Sequence, residues 1–125
     1  MSENELSKII VNACFQIHSK LGPGLFESVY EEILNYELLN QGLEVERQKV
    51  IPVYWNKIKM DQGFRSDLII NGKVLIEIKS VEHVIKVHQK QVQTYLKLTG
   101  IKLGLLINFN EPLIKNGIQR IVNGL

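Results

Sequence analysis

Asp67, Glu77 and Lys79 are charged residues in a stretch that otherwise reads as apolar strand, Phe64-Arg65-Ser66-Asp67-Leu68-Ile69-Ile70-Asn71-Gly72-Lys73-Val74-Leu75-Ile76-Glu77-Ile78-Lys79. Side chains alternate between the two faces of a strand, so Val74, Ile76 and Ile78 share one face. Leu75, Glu77 and Lys79 share the other. Charge inside a hydrophobic strand must be paired or must bind a cation. Two readings compete. Glu77 and Lys79 pair on the wet face of a sheet, or Asp67 and Glu77 form an acidic pocket for a divalent ion with Lys79 beside the reacting group. A hard cation such as Mg²⁺ takes oxygen ligands and keeps several waters. Bound there, it would polarise a phosphoryl oxygen and ease deprotonation of a water. Lys79 could stabilise the charge that develops. Glu27 could extend the acidic cluster, and Gln91 could hydrogen-bond a phosphate or the water.

The two acids meet only in one register. Asn71-Gly72 is a strong hairpin signal. As a two-residue loop it would set Asp67 across from Ile76, and the carboxylates would leave opposite faces. A three-residue loop or a bulge sets Asp67 nearly opposite Glu77, and this shifted register is the one expected.

Several elements must position these groups. Ser2 and Glu5 read as a capping box opening a helix that runs to about Leu21, stopped by Gly22 and Pro23. Leu6, Ile9, Ile10, Ala13, Ile17 and Leu21 make its apolar stripe. Cys14 and His18, one turn apart, are too few for a zinc site and read as packing residues. A second helix is expected to about Asn40, with Leu25, Val29, Ile33 and Tyr36 as its apolar line, widened by Leu34 and Leu38. Glu27 lies in its first turn, where an acid also simply complements the helix dipole. Glu44 to Trp55 has strand character, with Pro52 marking an edge or a bulge. Ile58 suggests a short extra strand. A third helix is expected over Ile85–Leu98, with Val84, Val87, Gln91, Tyr95 and Leu98 on one face, so Gln91 and Tyr95 are neighbours. Leu103–Phe109 reads as a strand covered on both faces. Ile118, Arg120 and Val122 could face one way in a last strand. The order α-α-β-β-β-α-β-(β) implies the α/β class, of the α+β type, with helices packed on a mixed sheet.

A chain of 125 residues is expected to form a single domain, 1–125. A net charge of +2 permits contact with a polyanion without arguing for it. Cys14 is the only cysteine, so no internal disulfide can form, and a reducing, cytoplasmic setting is expected. No signal peptide, membrane-length apolar run, repeat or low-complexity tract is apparent. Lys73, Lys86, Lys90 and Lys97 could form a rim for a nucleic-acid backbone or a plain solvated face. His83 and His88 read as surface or phosphate-contacting residues.

The sequence resembles the GxxExxY family of the PD-(D/E)XK nuclease superfamily. Gly24-Leu25-Phe26-Glu27-Ser28-Val29-Tyr30 matches all three fixed positions of the family's name motif. Asp67 followed by Glu77-Ile78-Lys79 matches the superfamily's D…ExK signature, with Ser66 where its name has proline. Gln91-Val92-Gln93-Thr94-Tyr95 is similar to the Q-x-x-x-Y motif of exonuclease-type members. Leu103-Gly104-Leu105-Leu106-Ile107-Asn108-Phe109 resembles the family's penultimate strand.

The resemblance implies a restriction-endonuclease-like core, a central mixed sheet flanked by helices. It implies Mg²⁺- or Mn²⁺-dependent hydrolysis of phosphodiester bonds in nucleic acid, with DNA the expected partner, no membrane, and room for a homodimer. Asp67 and Glu77 would ligate the metal with the Ile78 carbonyl, and Glu27 would be a further ligand or water-positioning acid. Lys79 would act on the water or transition state. Gln91 and Tyr95 would orient substrate or Lys79. The alternatives from other classes are a non-catalytic nucleic-acid-binding or protein-interaction module on the same fold, and a structural subunit of a larger nuclease assembly.

Overall fold

The computed structural model describes all residues, 1–125. Helix α1 spans Glu3–Leu21 and opens on the expected capping box. Ser2 Oγ accepts the Glu5 N–H at 3.1 Å, and Glu5 Oε1 accepts the Ser2 N–H at 3.2 Å. Such a cap contributes about 0.5–2 kcal/mol. Leu6, Ile10, Ala13, Cys14 and Ile17 are buried along its stripe, whereas Leu21 is exposed at the helix end.

Helix α2 spans Glu27–Asn40. Leu34 and Leu38 are buried as expected and Ile33 packs partly against the core, but fully buried Tyr30 joins them while Leu25, Val29 and Tyr36 are exposed. The cause is a tether at the helix entrance. The Tyr30 hydroxyl donates to the Gly22 carbonyl at 2.6 Å and accepts the Leu25 N–H at 3.2 Å. The Tyr30 ring stacks on Phe109, with centroids 4.4 Å apart. With Tyr30 pinned inward, helical spacing puts Leu34 and Leu38 on the core side.

Strand β1 spans Val45–Ile51 and stops before Pro52, rather than running on to Trp55. Proline cannot donate to a ladder. Tyr54–Trp55 (β2) and Ile58–Lys59 (β3) form a separate two-stranded arm, turned by Asn56 and Lys57 at positive φ. Its Tyr54, Trp55 and Ile58 side chains are exposed. Strands β4 (Phe64–Ile70) and β5 (Val74–Lys79) form the central hairpin. Helix α3 (Lys86–Thr99) crosses to β6 (Leu103–Asn108), which is buried throughout as expected. A 3-10 turn, Ile114–Gly117, leads into the last strand. A Cβ on Gly117 would collide with the Asn108 carbonyl. Strand β7, Ile118–Val122, then pairs antiparallel with β6.

The five-stranded sheet has order β1-β4-β5-β6-β7. Only β5 and β6 run parallel, joined by the α3 crossover, so the sheet is mixed. Leu68, Ile70, Ile76, Ile78, Leu105 and Ile107 face α1 and α2. Ile69, Leu75 and Leu106 face α3, against Val92 and Leu96. Gly104 lets α3 close on the sheet, since a Cβ there would lie 2.7 Å from Val92 Cγ1. This is the helix-flanked mixed sheet of a restriction-endonuclease-like α/β fold. No helix is long and apolar enough to cross a membrane.

Candidate active site

Strands β4 and β5 pair Ile70 with Val74, Ile69 with Leu75 and Leu68 with Ile76. The loop therefore holds three residues, Asn71 to Lys73, and the register is the shifted one. Asn71 and Gly72 both take positive φ, 51° and 65°, which glycine adopts freely and asparagine tolerates. The Lys73 N–H closes the turn on the Ile70 carbonyl at 2.9 Å. One step beyond the last pair, Asp67 lies across from Glu77.

There the ladder gives way to side chains. Glu77 Oε1 accepts the Asp67 N–H at 3.2 Å, and Asp67 Oδ2 accepts the Ile78 N–H at 2.8 Å. Glu77 is only 8% exposed. Burial, then the neighbouring charge of Asp67, raises its carboxyl to about 8 from the usual 4.5, against smaller opposing effects of the Asp67 N–H and Lys79. At neutral pH the Glu77 carboxyl therefore keeps its proton opposite Asp67.

Lys79 lies on the same face as Glu77, at the end of β5, and is half-buried. It takes part in none of the ion pairs. Tyr95 stacks on Phe64, with centroids 3.9 Å apart. Burial, then the charges of Glu77 and Asp67, raise its hydroxyl above the usual value. Gln91, one turn earlier on α3, is exposed. Glu27 reaches the same end of β5 by another route: its Oε2 accepts the Ser80 N–H at 3.3 Å, and Ser80 Oγ donates to the Leu25 carbonyl at 2.6 Å. Gly24 and Tyr30 shape the turn that delivers Glu27, so two of the three fixed motif positions serve the third.

The donor set suits a hard cation with limits. No three His, Cys, Asp or Glu side chains gather closely enough to hold an ion, so Glu27 stays apart from the pair. Asp67 and Glu77 supply carboxylate oxygens. A strand residue's N–H and C=O project to the same side. Ile78 gives its N–H to Asp67, so its carbonyl also points toward β4, past the last paired residues. Two carboxylates, one carbonyl and waters match what Mg²⁺ or Mn²⁺ accepts.

Two residues that touch Asp67 or its support escaped sequence reasoning. Gln48 Nε2 donates to Asp67 Oδ1 at 3.1 Å and to Glu31 Oε1 at 2.6 Å. Glu31, 6% exposed, also pairs with Arg47 Nε at 2.7 Å. Glu31 left a signal: an acid set within the Tyr30, Leu34, Leu38 face of α2. Gln48 left none. The expected lysine rim is divided. Lys86, Lys90 and Lys97 are exposed along α3, but Lys73 sits at the opposite end of β5 from Lys79 and donates to the Met1 carbonyl at 2.6 Å. His83 is exposed, and His88 Nδ1 accepts the Ile85 N–H at 3.2 Å at the start of α3. Cys14 and His18 pack as expected. Burial pushes the Cys14 thiol up to about 12, and His18 Nε2 bonds the Glu111 carbonyl at 2.8 Å.

A family model of the PD-(D/E)XK nuclease superfamily matches residues 4–121. No curated protein and no solved structure matches the chain significantly.

Proposed function

Because the chain belongs to the PD-(D/E)XK nuclease superfamily, we propose that it is a divalent-metal-dependent nuclease that hydrolyses phosphodiester bonds of DNA. The GxxExxY family is the member group its Gly24, Glu27 and Tyr30 fit best. The observation that carries this reading is the convergence of two buried or half-buried acids, Asp67 and Glu77, with a lysine outside every ion pair on the same face.

Asp67, Glu77 and the Ile78 carbonyl would hold Mg²⁺ or Mn²⁺. The chemistry such an ion supplies when bound is polarisation of a phosphoryl oxygen and easier deprotonation of a water. Glu77 must release its proton to act as a ligand, so ion binding and proton loss are coupled. Lys79 directs its ammonium at the negative charge that builds on the phosphate. Gln91 donates its amide to a phosphate oxygen, and Tyr95, fixed by Phe64, orients the substrate beside the acids. Glu27, held at the end of β5 by Ser80, orients a water from the other side. Lys86, Lys90 and Lys97 attract the DNA backbone. Residues 1–125 carry the activity as one domain, and a homodimer would place two such sites on one duplex. A free buried thiol suits a reducing compartment.

The test is cleavage of single- and double-stranded DNA and RNA with Mg²⁺, Mn²⁺ or chelator. Metal-dependent cleavage lost in both Glu77→Ala and Lys79→Ala supports the reading. Cleavage that survives both substitutions, or none by the unaltered protein on any substrate, refutes it.

A further inference from the structure

We propose that Gln48 is a positioning residue that holds Asp67 in its ion-binding orientation by tying it to helix α2. The inference rests on the metal-dependent reading of the site above. Gln48 is a non-glycine residue at positive φ, 53°, inside a strand. Such a conformation costs on the order of 1–3 kcal/mol and persists only where the surroundings enforce it. The β1–β4 ladder pairs Arg47 with Leu68 and Lys49 with Ser66, and omits the intervening couple, Gln48 and Asp67. Neighbouring residues of a regular strand point to opposite faces. Here Arg47 and Gln48 both reach the same Glu31 carboxylate, at 2.7 and 2.6 Å. The left-handed backbone at Gln48 is what brings its side chain round to Glu31.

The amide nitrogen of Gln48 has two N–H groups, and both are committed to carboxylates. One goes to Glu31 Oε1 and the other to Asp67 Oδ1. Asp67 is then held at both oxygens, by Gln48 and by the Ile78 N–H. Glu31 is anchored in turn by Arg47 and by its own burial. Helix α2 carries Glu27 in its first turn, so the same helix sets one acid directly and a second through Gln48. A glutamine amide suits this role because it donates to two anions without adding charge of its own. Partners that orient a ligand in this way are typically worth about 10–100-fold in metal affinity.

The test is Mn²⁺ affinity, read by electron paramagnetic resonance, in Gln48→Asn and Gln48→Met. Asparagine is well tolerated at positive φ but is one methylene too short to span both carboxylates. Methionine keeps the length and removes the donors. Circular dichroism and thermal melts without metal report whether each variant folds. The expected result is a folded Gln48→Asn with Mn²⁺ affinity lowered about 10-fold or more, and DNA binding measured in chelator unchanged. A folded Gln48→Asn or Gln48→Met with Mn²⁺ affinity equal to that of the unaltered protein overturns the proposal. Failure of the unaltered protein to bind Mn²⁺ overturns both the proposal and the reading beneath it, which separates the two outcomes.

Discussion

The Asp67 N–H donates to Glu77 Oε1 at 3.2 Å, so the backbone of one acid solvates the carboxyl of the other. That single bond is not enough to keep Glu77 ionised against burial and the charge of Asp67, and its carboxyl stays up at about 8.

Stability without metal should therefore fall as pH rises. Glu77 ionises at about 4.5 in the unfolded chain and about 8 in the folded one. Between those values the folded state keeps a proton that the unfolded chain has lost, so unfolding gains on folding as pH climbs, and the loss levels off above the upper value. The size is on the order of a few kcal/mol. Thermal melts across this window should show the slope. Glu77→Gln should remove most of it, and Mn²⁺ at the alkaline end should restore stability.

Asp67 and Lys79 should separate binding from chemistry. If the proposed ion site is right, Asp67→Asn removes a carboxylate charge and should weaken Mn²⁺ binding more than about tenfold. Lys79→Ala should leave that affinity intact or improved, because a nearby positive charge is gone, while cleavage drops by about 100-fold or more. Parallel Mn²⁺ titrations and cleavage assays read the difference.

Tyr30→Phe should destabilise the protein by about 1–3 kcal/mol, since it strips partners from the Gly22 carbonyl and the Leu25 N–H. Urea unfolding measures this. The ring and its stack on Phe109 remain, so the cost isolates the hydroxyl tether that aims α2.

Gly104→Ala should cost about 1–3 kcal/mol by overpacking. The added methyl meets Val92 Cγ1 and the Leu96 methyls. Tyr95 lies between those two residues on α3, so activity should fall more than the loss of folded protein explains. Cleavage normalised to folded fraction checks this.

The acid pair was legible because period-two alternation in β5 admits no other placement of Glu77 and Lys79, and because only one hairpin register unites them with Asp67. The buried run of β6 and the capping box of α1 were equally plain. Apolar spacing marks Leu34 and Leu38 on α2 but allows two rotations of the helix, so it also points to Val29 and Tyr36, which are exposed. A long-range tether, Tyr30 to Gly22 and Phe109, chooses between the two rotations. Strand character alone carries β1 through to Trp55, and although Pro52 and Ile58 mark a break and a short extra strand, neither says that Tyr54–Trp55 pairs with Ile58–Lys59 instead of the sheet. Gln48 stayed hidden because neither composition nor spacing reveals a residue whose role depends on a left-handed backbone. Its importance arises only when β1, β4 and α2 come together.

The central turn has a last implication. Lys73 is the residue that the turn loops out, and it is also the residue that would pair with Ile70 if the hairpin zipped one step short. That slipped hairpin would compete early in folding, before β6 and the helices arrive to penalise it. Excising Lys73 would leave Asn71-Gly72 as a two-residue connection with Ile70 still across from Val74. Shortening the chain at this point should thus erase the decoy and keep the native partners.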